Sequence, residues 1–423
     1  MNIHIKQGYV VDPANDITSV TDVFIADGHI ASIDSLPDDF RADKTIDATN
    51  KIVCPGFIDV NTSLREPGLE HKATIASESK AAVSAGFTTL CCSPNTIPVL
   101  DSTAVAQLII DKAANANFAK ILPLGALTVG LKGEALSEMY ALKGTGCIAV
   151  SQAPSTNISP RTLRLAMQYA SSFDLLVILK PEDAGIKGDG LVHEGVMSSR
   201  LGLTGIPVSA ETVAIAQAIA LAEETECRVH LTGISTSKGV AMLARAQYEG
   251  VLISADTYAY QLQLTALDVG TFDANYHVSP PLRTAESRDA LRAGVASGVL
   301  QVSSGHNPHD LDSKLAPFTS TESGVSSLET TLSSMINLVK SELLDWHQMV
   351  VALAAGPAKT LGLEEGHLSV GAVADVTIFD PDATWIVNNE QWHSSGLNTP
   401  FWGETMTGQV THTFVNGRLV FER

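Results

Sequence analysis

Side chains able to do chemistry recur in this sequence at the ends of apolar runs. The first run, Pro55 to Val60, opens into the alternating polar positions Asn61 and Ser63 and then into an Arg65-Glu66-Pro67-Gly68 turn. Later runs end in Ser93 and Asn95, in Ser151, Gln152 and Ala153, in Lys180, in His230 followed by Thr232 and Gly233, in Asp256, and in Ser304, Gly305, His306 and His309. Three chemistries are open to that set. A strand lysine with a depressed pKa is a nucleophile for carbonyl compounds. Asp256 and His309 could exchange protons with a substrate. The guanidinium of Arg65 has the fork that suits a carboxylate. Zinc, which takes about four ligands from Cys, His and carboxylate side chains, is badly served by an amide and a hydroxyl at Asn61 and Ser63.

Each of these residues also has an ordinary role. Arg65 can tie down its own turn, His309 and His306 can be packed loop residues, and His230 reads as a satisfied core histidine on a strand. Glu182 and Asp183 follow Lys180 so closely that pairing with them would keep the lysine protonated. On that ground the sequence argues for a structural Lys180 over a covalent one.

The elements that must position these groups follow a repeated pattern of apolar run, loop and helical segment. Eight runs read as buried parallel strands, beginning at Gly56, Gly86, Lys120, Thr145, Leu175, Cys227, Val251 and Val299. Helical periodicity fills the gaps at Ile75 to Ala85, Thr103 to Asn115, Ser159 to Ser171, Ala210 to Thr225 and Ser237 to Tyr248. Eight alternations predict a (β/α)8 TIM barrel, an α/β fold whose strand ends form the active-site mouth; a doubly wound open sheet is the alternative. Both ends of the chain read instead as short strands and tight turns. Residues 1–54 and 366–423 are expected to pair into one small β-sandwich beside a barrel at residues 55–365.

Composition narrows the function. A net charge of −19 with no cluster of Lys and Arg argues against a nucleic-acid surface. The longest apolar runs are too short to span a membrane, and the N-terminal residues have no signal-peptide core. Five cysteines without a CxxC pair read as buried thiols in a reducing compartment, so a cytoplasmic protein is expected. Charged residues make up 17% against about 25% in typical soluble domains, a hint that some surface is covered in an assembly, whether a homo-oligomer or a complex with another chain.

Several phrases resemble the long, barrel-plus-sandwich dihydroorotases of the amidohydrolase superfamily. They are Pro55 to Asp59 with Leu64 to Gly68, Gly86 to Thr89 with Pro94 to Thr96, Gly202 to Pro207, Pro280 to Arg283, His306 with Pro308 and His309, Gly324 to Thr330, Pro357 to Lys359 and Asn398 to Phe401. In that family the resemblance implies zinc held by strand-end histidines, an acidic or carboxylated-lysine ligand and a last aspartate. Here those positions carry Asn61, Ser63, Gln152, Ala153, Lys180, Gly233 and Gly305. Arg65, Asn95 and His309 match family positions that contact the substrate carboxylate and ring, as a vestigial binding set.

The resemblance is nearest to the inactive dihydroorotase-like chains that assemble with aspartate carbamoyltransferase. It therefore implies a non-catalytic chain in pyrimidine biosynthesis, a pseudoenzyme without metal, cofactor or catalytic residues, in a hetero-oligomer with the carbamoyltransferase catalytic chain. A metal-independent enzyme, or a sensor of a small dihydroorotate-like carboxylate using the vestigial site, is the alternative expectation.

Overall fold

The computed structural model describes residues 1–152 and 158–423. Eight parallel strands follow one another around a barrel in sequence order: Phe57–Thr62, Phe87–Cys92, Lys120–Ala126, Ala149–Gln152, Leu176–Leu179, Val229–Leu231, Ile253–Tyr258 and Gln301–Ser303. They are called barrel strands one to eight below. The seam between the last and the first is bridged by the Ser63 amide, which donates to the His306 carbonyl at 3.0 Å. Strands two and five are buried along their whole length, because helices cover the outer face and side-chain layers fill the inner one. The (β/α)8 expectation holds.

Seven of the expected strand starts lie within two residues of the observed ones. Strand four begins at Ala149 and not at Thr145, because Thr145 ends the helix Met139–Thr145, which Gly146 closes at φ +117°. That positive φ is open to glycine at little cost. The helix Ser237–Tyr248 has the bounds its periodicity predicts, and it starts where the Thr236 side chain accepts from the Gly239 amide.

The terminal segments meet in one eight-stranded sheet. Its order runs Arg418–Glu422, Thr405–Val415, Val376–Ile386, Ile52–Pro55, Ile3–Asp12, Ile17–Ala26 and His29–Ile33, with Lys44–Asp47 also on Ile3–Asp12. The long strand Ile3–Asp12 carries Lys44–Asp47 along its first half and Ile52–Pro55 along its second. The sheet therefore divides into two arms around a core that includes Ile5, Ile25, Val376 and Phe414. Lys120 fastens this unit to the barrel through Glu365 at 2.8 Å and Asp375 at 2.6 Å.

Two excursions build the wall above the mouth. One contains the small sheet of Val192–His193 with Gly205–Ile206, and the other the 3-10 turns between Ala259 and Tyr276. Arg283 ties them together, its guanidinium donating to the Ile206 carbonyl at 2.8 Å and its own carbonyl accepting from the Ala266 amide at 2.8 Å. All five cysteines are buried and unpaired, and no helix among the described residues is long and apolar enough to cross a membrane.

Candidate functional site

The C-terminal strand ends enclose a cavity lined by Asn61 and Ser63 from strand one, Gln152 from strand four, Lys180 after strand five, Thr232 after strand six and Tyr258 at the end of strand seven. Strand seven lies between strands six and eight, and that order decides what fills the mouth. The Tyr258 ring leans over both neighbours, where Gly233 and Gly305 leave room for it. A Cβ built on Gly233 would stand 2.7 Å from Tyr258 Cζ, and one on Gly305 would come closer still to the same ring. Both glycines also have positive φ, +77° and +66°, a conformation in which side chains are strained. Two of the seven positions that the family resemblance marks as ligand-bearing are thus replaced by one aromatic ring.

The carboxylates beneath that ring are engaged in holding the structure. Asp256 is fully buried and accepts from the Gly233 amide at 2.9 Å, from Ser303 Oγ at 2.8 Å and from His230 Nε2 at 2.9 Å. Nδ1 of His230 meets Ser254 Oγ at 2.8 Å, so His230 is a satisfied core residue, as its strand position suggests. Asp59 accepts from the Ser304 amide and hydroxyl; burial pushes its carboxyl up to about 6, and those hydrogen bonds hold the rise back. His306 bonds Glu78 at 2.6 Å and takes the Ser327 amide at 3.1 Å, again a structural part.

Among the described residues the other half of the mouth is open. Lys180 Nζ donates to Ser279 Oγ at 2.7 Å, and the Ser279 hydroxyl donates on to Glu182 Oε2 at 3.3 Å. Neither Glu182 nor Asp183 pairs with Lys180. Glu182 takes Lys187 at 2.8 Å, and Asp183 caps the helix Ala184–Lys187 through the Ile186 amide at 2.8 Å. Burial consequently pulls the Lys180 amine down to about 8, with the more distant Glu182 pulling the other way. The expectation that these acids keep Lys180 firmly protonated is corrected, because both carboxylates have nearer donors. Gln152 is tied by Thr128 Oγ1 and the Leu131 carbonyl, each at 3.0 Å. Among the described residues Oδ1 of Asn61 and Oγ1 of Thr232 are buried without a hydrogen bond of ordinary geometry, and both side chains stand near the Tyr258 hydroxyl. Ala153 lies outside the described residues.

Arg65, Asn95 and His309 do not converge. Arg65 donates to the Pro308 carbonyl at 2.9 Å, to Asn307 Oδ1, and approaches His309 Nε2 at 3.1 Å. Lys72 stands 3.3 Å from the other ring nitrogen. Burial, with Arg65 and Lys72 beside it, pulls His309 down to about 3, so the imidazole is neutral. Arg65 and His309 lock the first strand's turn against the loop after strand eight, while Asn95 stands alone at the rim of the cavity.

Zinc does not fit this donor set. What faces the cavity at the ligand-bearing positions is an amide, a hydroxyl, a second amide already bonded, an ammonium and a tyrosine ring over two glycines. Among the described residues no three His, Cys, Asp or Glu side chains come together as a metal-holding group. We therefore assign no step to a metal. Sequence reasoning missed Tyr258 and Ser279. Tyr258 had a signal, a tyrosine on the strand flanked by two strand-end glycines; Ser279, 99 residues from Lys180, had none.

Comparison with known proteins places the chain among amidohydrolases. The profile described as Dihydro-orotase-like matches residues 50–239, and that of the Amidohydrolase family matches residues 331–421. The chain is 46% identical over 420 residues to the dihydroorotase-like protein of Pseudomonas putida, covering 99% of each. It is 40% identical over 423 residues to the dihydroorotase of Citrifermentans bemidjiense, covering the whole of both. Among solved structures, the L-hydantoinase (dihydropyrimidinase) from Arthrobacter aurescens superposes with a TM-score of 0.88 at 25% identity, over 99% of this chain and 96% of that one. These findings correct the expectation of a non-enzyme: full-length relatives named dihydroorotase and hydantoinase neighbours point to an enzymatic amidohydrolase family. The reason is physical as well. Missing ligands argue against one mechanism, hydroxide held on a metal, and leave the other reactive groups of a barrel mouth in place.

Proposed function

Because the chain belongs to the dihydroorotase-like family of amidohydrolases, we propose that it serves pyrimidine biosynthesis as a subunit assembled with aspartate carbamoyltransferase, making a structural and regulatory contribution there. The observation that carries this reading is a rebuilt mouth on an intact frame. Tyr258 takes the space of two family ligand positions, Lys180 puts a cation at a third, and the barrel and terminal sheet are retained throughout. Most substitutions destabilise a fold, so a frame kept whole after such replacement is consistent with a duty that the frame itself performs. The partner is drawn from the resemblance to carbamoyltransferase-associated chains.

The test is a size measurement of this chain alone, of the carbamoyltransferase catalytic chain from the same source, and of the two mixed. A larger species found only in the mixture supports the proposal; two unshifted components at micromolar concentration overturn it. Protein purified without chelators is expected to hold far less than one equivalent of zinc by elemental analysis. A full equivalent lost on changing Asn61 or Lys180 contradicts the account of the donor set.

A second reading has its own observation. The Asn61 and Thr232 oxygens, without a hydrogen bond of ordinary geometry among the described residues, line the same cavity as Lys180 and support reading the open half of the mouth as a small-molecule site, usable by a metal-independent enzyme or a sensor. Polar atoms buried without partners are costly, and they recur where a ligand supplies the missing bond. In this reading the contacts come from Asn61, Asn95, Thr232 and Lys180; the donors of Arg65 are engaged in the loop.

A further inference from the structure

We infer that Lys180 is a nucleophile that forms a Schiff base with a small, uncharged hydroxylated carbonyl compound held in the open half of the mouth. The inference rests on the reading of the mouth as a small-molecule site and adds to it a covalent step and a ligand class.

The geometry supplies the parts of imine chemistry. Lys180 Nζ lies inside the cavity and touches Ser279 Oγ, which touches Glu182 Oε2, so a proton leaving the amine has a two-step path to a carboxylate. Burial raises the Glu182 carboxyl, but the charges of Lys180 and Lys187 outweigh it and hold the group below its ordinary range, so it stands ionised at the end of the path. Lys180 itself, drawn down to about 8 by burial, exists as free amine for roughly a tenth of the time near neutral pH. A lysine meant only as a fixed counter-charge would be bonded directly to an acid; this one is bonded to a hydroxyl.

The step balances without an oxidant or reductant. The Nζ lone pair adds to the carbonyl carbon, and the π pair moves to oxygen. The nitrogen gives up one of its two protons through Ser279 to Glu182, and that proton passes to the oxygen to give the carbinolamine. The second proton takes the same route to the carbinolamine hydroxyl, which leaves as water while the nitrogen lone pair closes the C=N bond. Amine plus carbonyl becomes imine plus one water.

The ligand class follows from the lining. Apart from Lys180, the rings of Tyr258 and Tyr260, and His306, whose ring is already bonded to Glu78 and the Ser327 amide, the described lining presents neutral hydroxyls and amides, with Ser63, Ser93, Asn95 and Ser151 joining Asn61 and Thr232. Once Lys180 is consumed as the imine, no second cation among the described lining residues remains for a carboxylate or phosphate, because the Arg65 donors go to Pro308 and Asn307. Hydroxyl groups on a short carbonyl compound match such walls, since they donate and accept in turn.

The experiment treats the full chain with dihydroxyacetone, with glyceraldehyde or with pyruvate, each with cyanoborohydride, and maps adducts by peptide mass spectrometry. The expected result is a reduced adduct on Lys180 at least tenfold above that on any other lysine, formed faster with the two neutral compounds than with pyruvate. Ser279→Ala is expected to slow trapping about tenfold while keeping the fold, Lys180→Arg is expected to abolish the adduct, and glycerol binding to the unaltered chain is expected to give heat in calorimetry. Adducts spread evenly over the lysines, or none, overturn the inference. Heat from glycerol with no Lys180 adduct overturns the covalent step alone and leaves the mouth as a binding site; no heat and no adduct remove both. Faster trapping of pyruvate overturns the ligand class.

Discussion

Across the mouth, the sector over strands six to eight is packed shut and the sector over strands four and five stays open. In the closed sector Asp256 holds the Gly233 turn, His230 and Ser303, and the Tyr258 ring fills the space above. In the open sector Lys180 rests on a hydroxyl, and the Asn61 and Thr232 oxygens at the border lack a hydrogen bond of ordinary geometry among the described residues. The positions that the resemblance marks as ligand-bearing are therefore core on one side and cavity lining on the other. A region kept only for stability would be expected to end up like the first; the second retains features that cost stability.

The largest break in this contrast should come from restoring a family-like side chain in the closed sector. Gly305→Asp places a Cβ in the Tyr258 ring at a positive φ, and a loss of about 3–5 kcal/mol is expected in urea unfolding. Combining it with Tyr258→Ala should cost at least about 1 kcal/mol less than the two single losses added, because the clash disappears with the ring. Arg65→Ala should follow with a loss of about 2–3 kcal/mol, since it leaves the Pro308 carbonyl and Asn307 unpaired beneath the surface. It should leave the rate of Lys180 trapping unchanged.

The open sector should answer with the opposite sign. The Lys180 pKa is lowered on folding, so the folded state carries a penalty wherever the amine is charged in both states. That penalty is complete below about pH 8 and disappears as pH rises toward the unfolded value near 10.5. Lys180→Met is therefore expected to stabilise the protein at pH 7 by about 1–3 kcal/mol, the lower figure allowing for solvent in the mouth, and to lose that advantage between pH 8 and 10.5. A destabilised Lys180→Met protein at pH 7 would show the lysine to be a structural tie. The smallest effect belongs to Thr232→Val, which replaces a hydroxyl lacking an ordinary hydrogen bond among the described residues with a methyl and should stabilise by no more than about 1 kcal/mol.

How much of this was legible in the sequence depended on whether the deciding interaction was local. Strands announced themselves because a parallel barrel strand is buried on both faces and reads as a nearly continuous apolar run, and the helix Ser237–Tyr248 because its cap and its periodicity are contiguous. The site was legible in its positions and misread in its partners. Glu182 and Asp183 looked like the natural companions of Lys180 by distance along the chain, yet a helix start and Lys187 claim them first. Arg65, open in the sequence either to tying down its own turn or to meeting a carboxylate, gives its donors to the loop around Asn307, 242 residues later. Tyr258 reads as an ordinary buried aromatic until strands six and eight are known to flank it. Each misreading came from a contact set by topology, which residue type and spacing do not encode.

The terminal sheet has a consequence for how the molecule is made. Ile52–Pro55 is sandwiched between Ile3–Asp12 and Val376–Ile386, so one of its two neighbours emerges roughly 320 residues after it. At about 5–20 residues per second a ribosome needs about 15–60 s to deliver that neighbour. Throughout that interval the nascent chain exposes an unpaired strand edge of the kind that recruits foreign strands. The barrel is thus synthesised inside a bracket that only the last segment of the chain can close, and vectorial synthesis makes the opening strands the period of greatest risk.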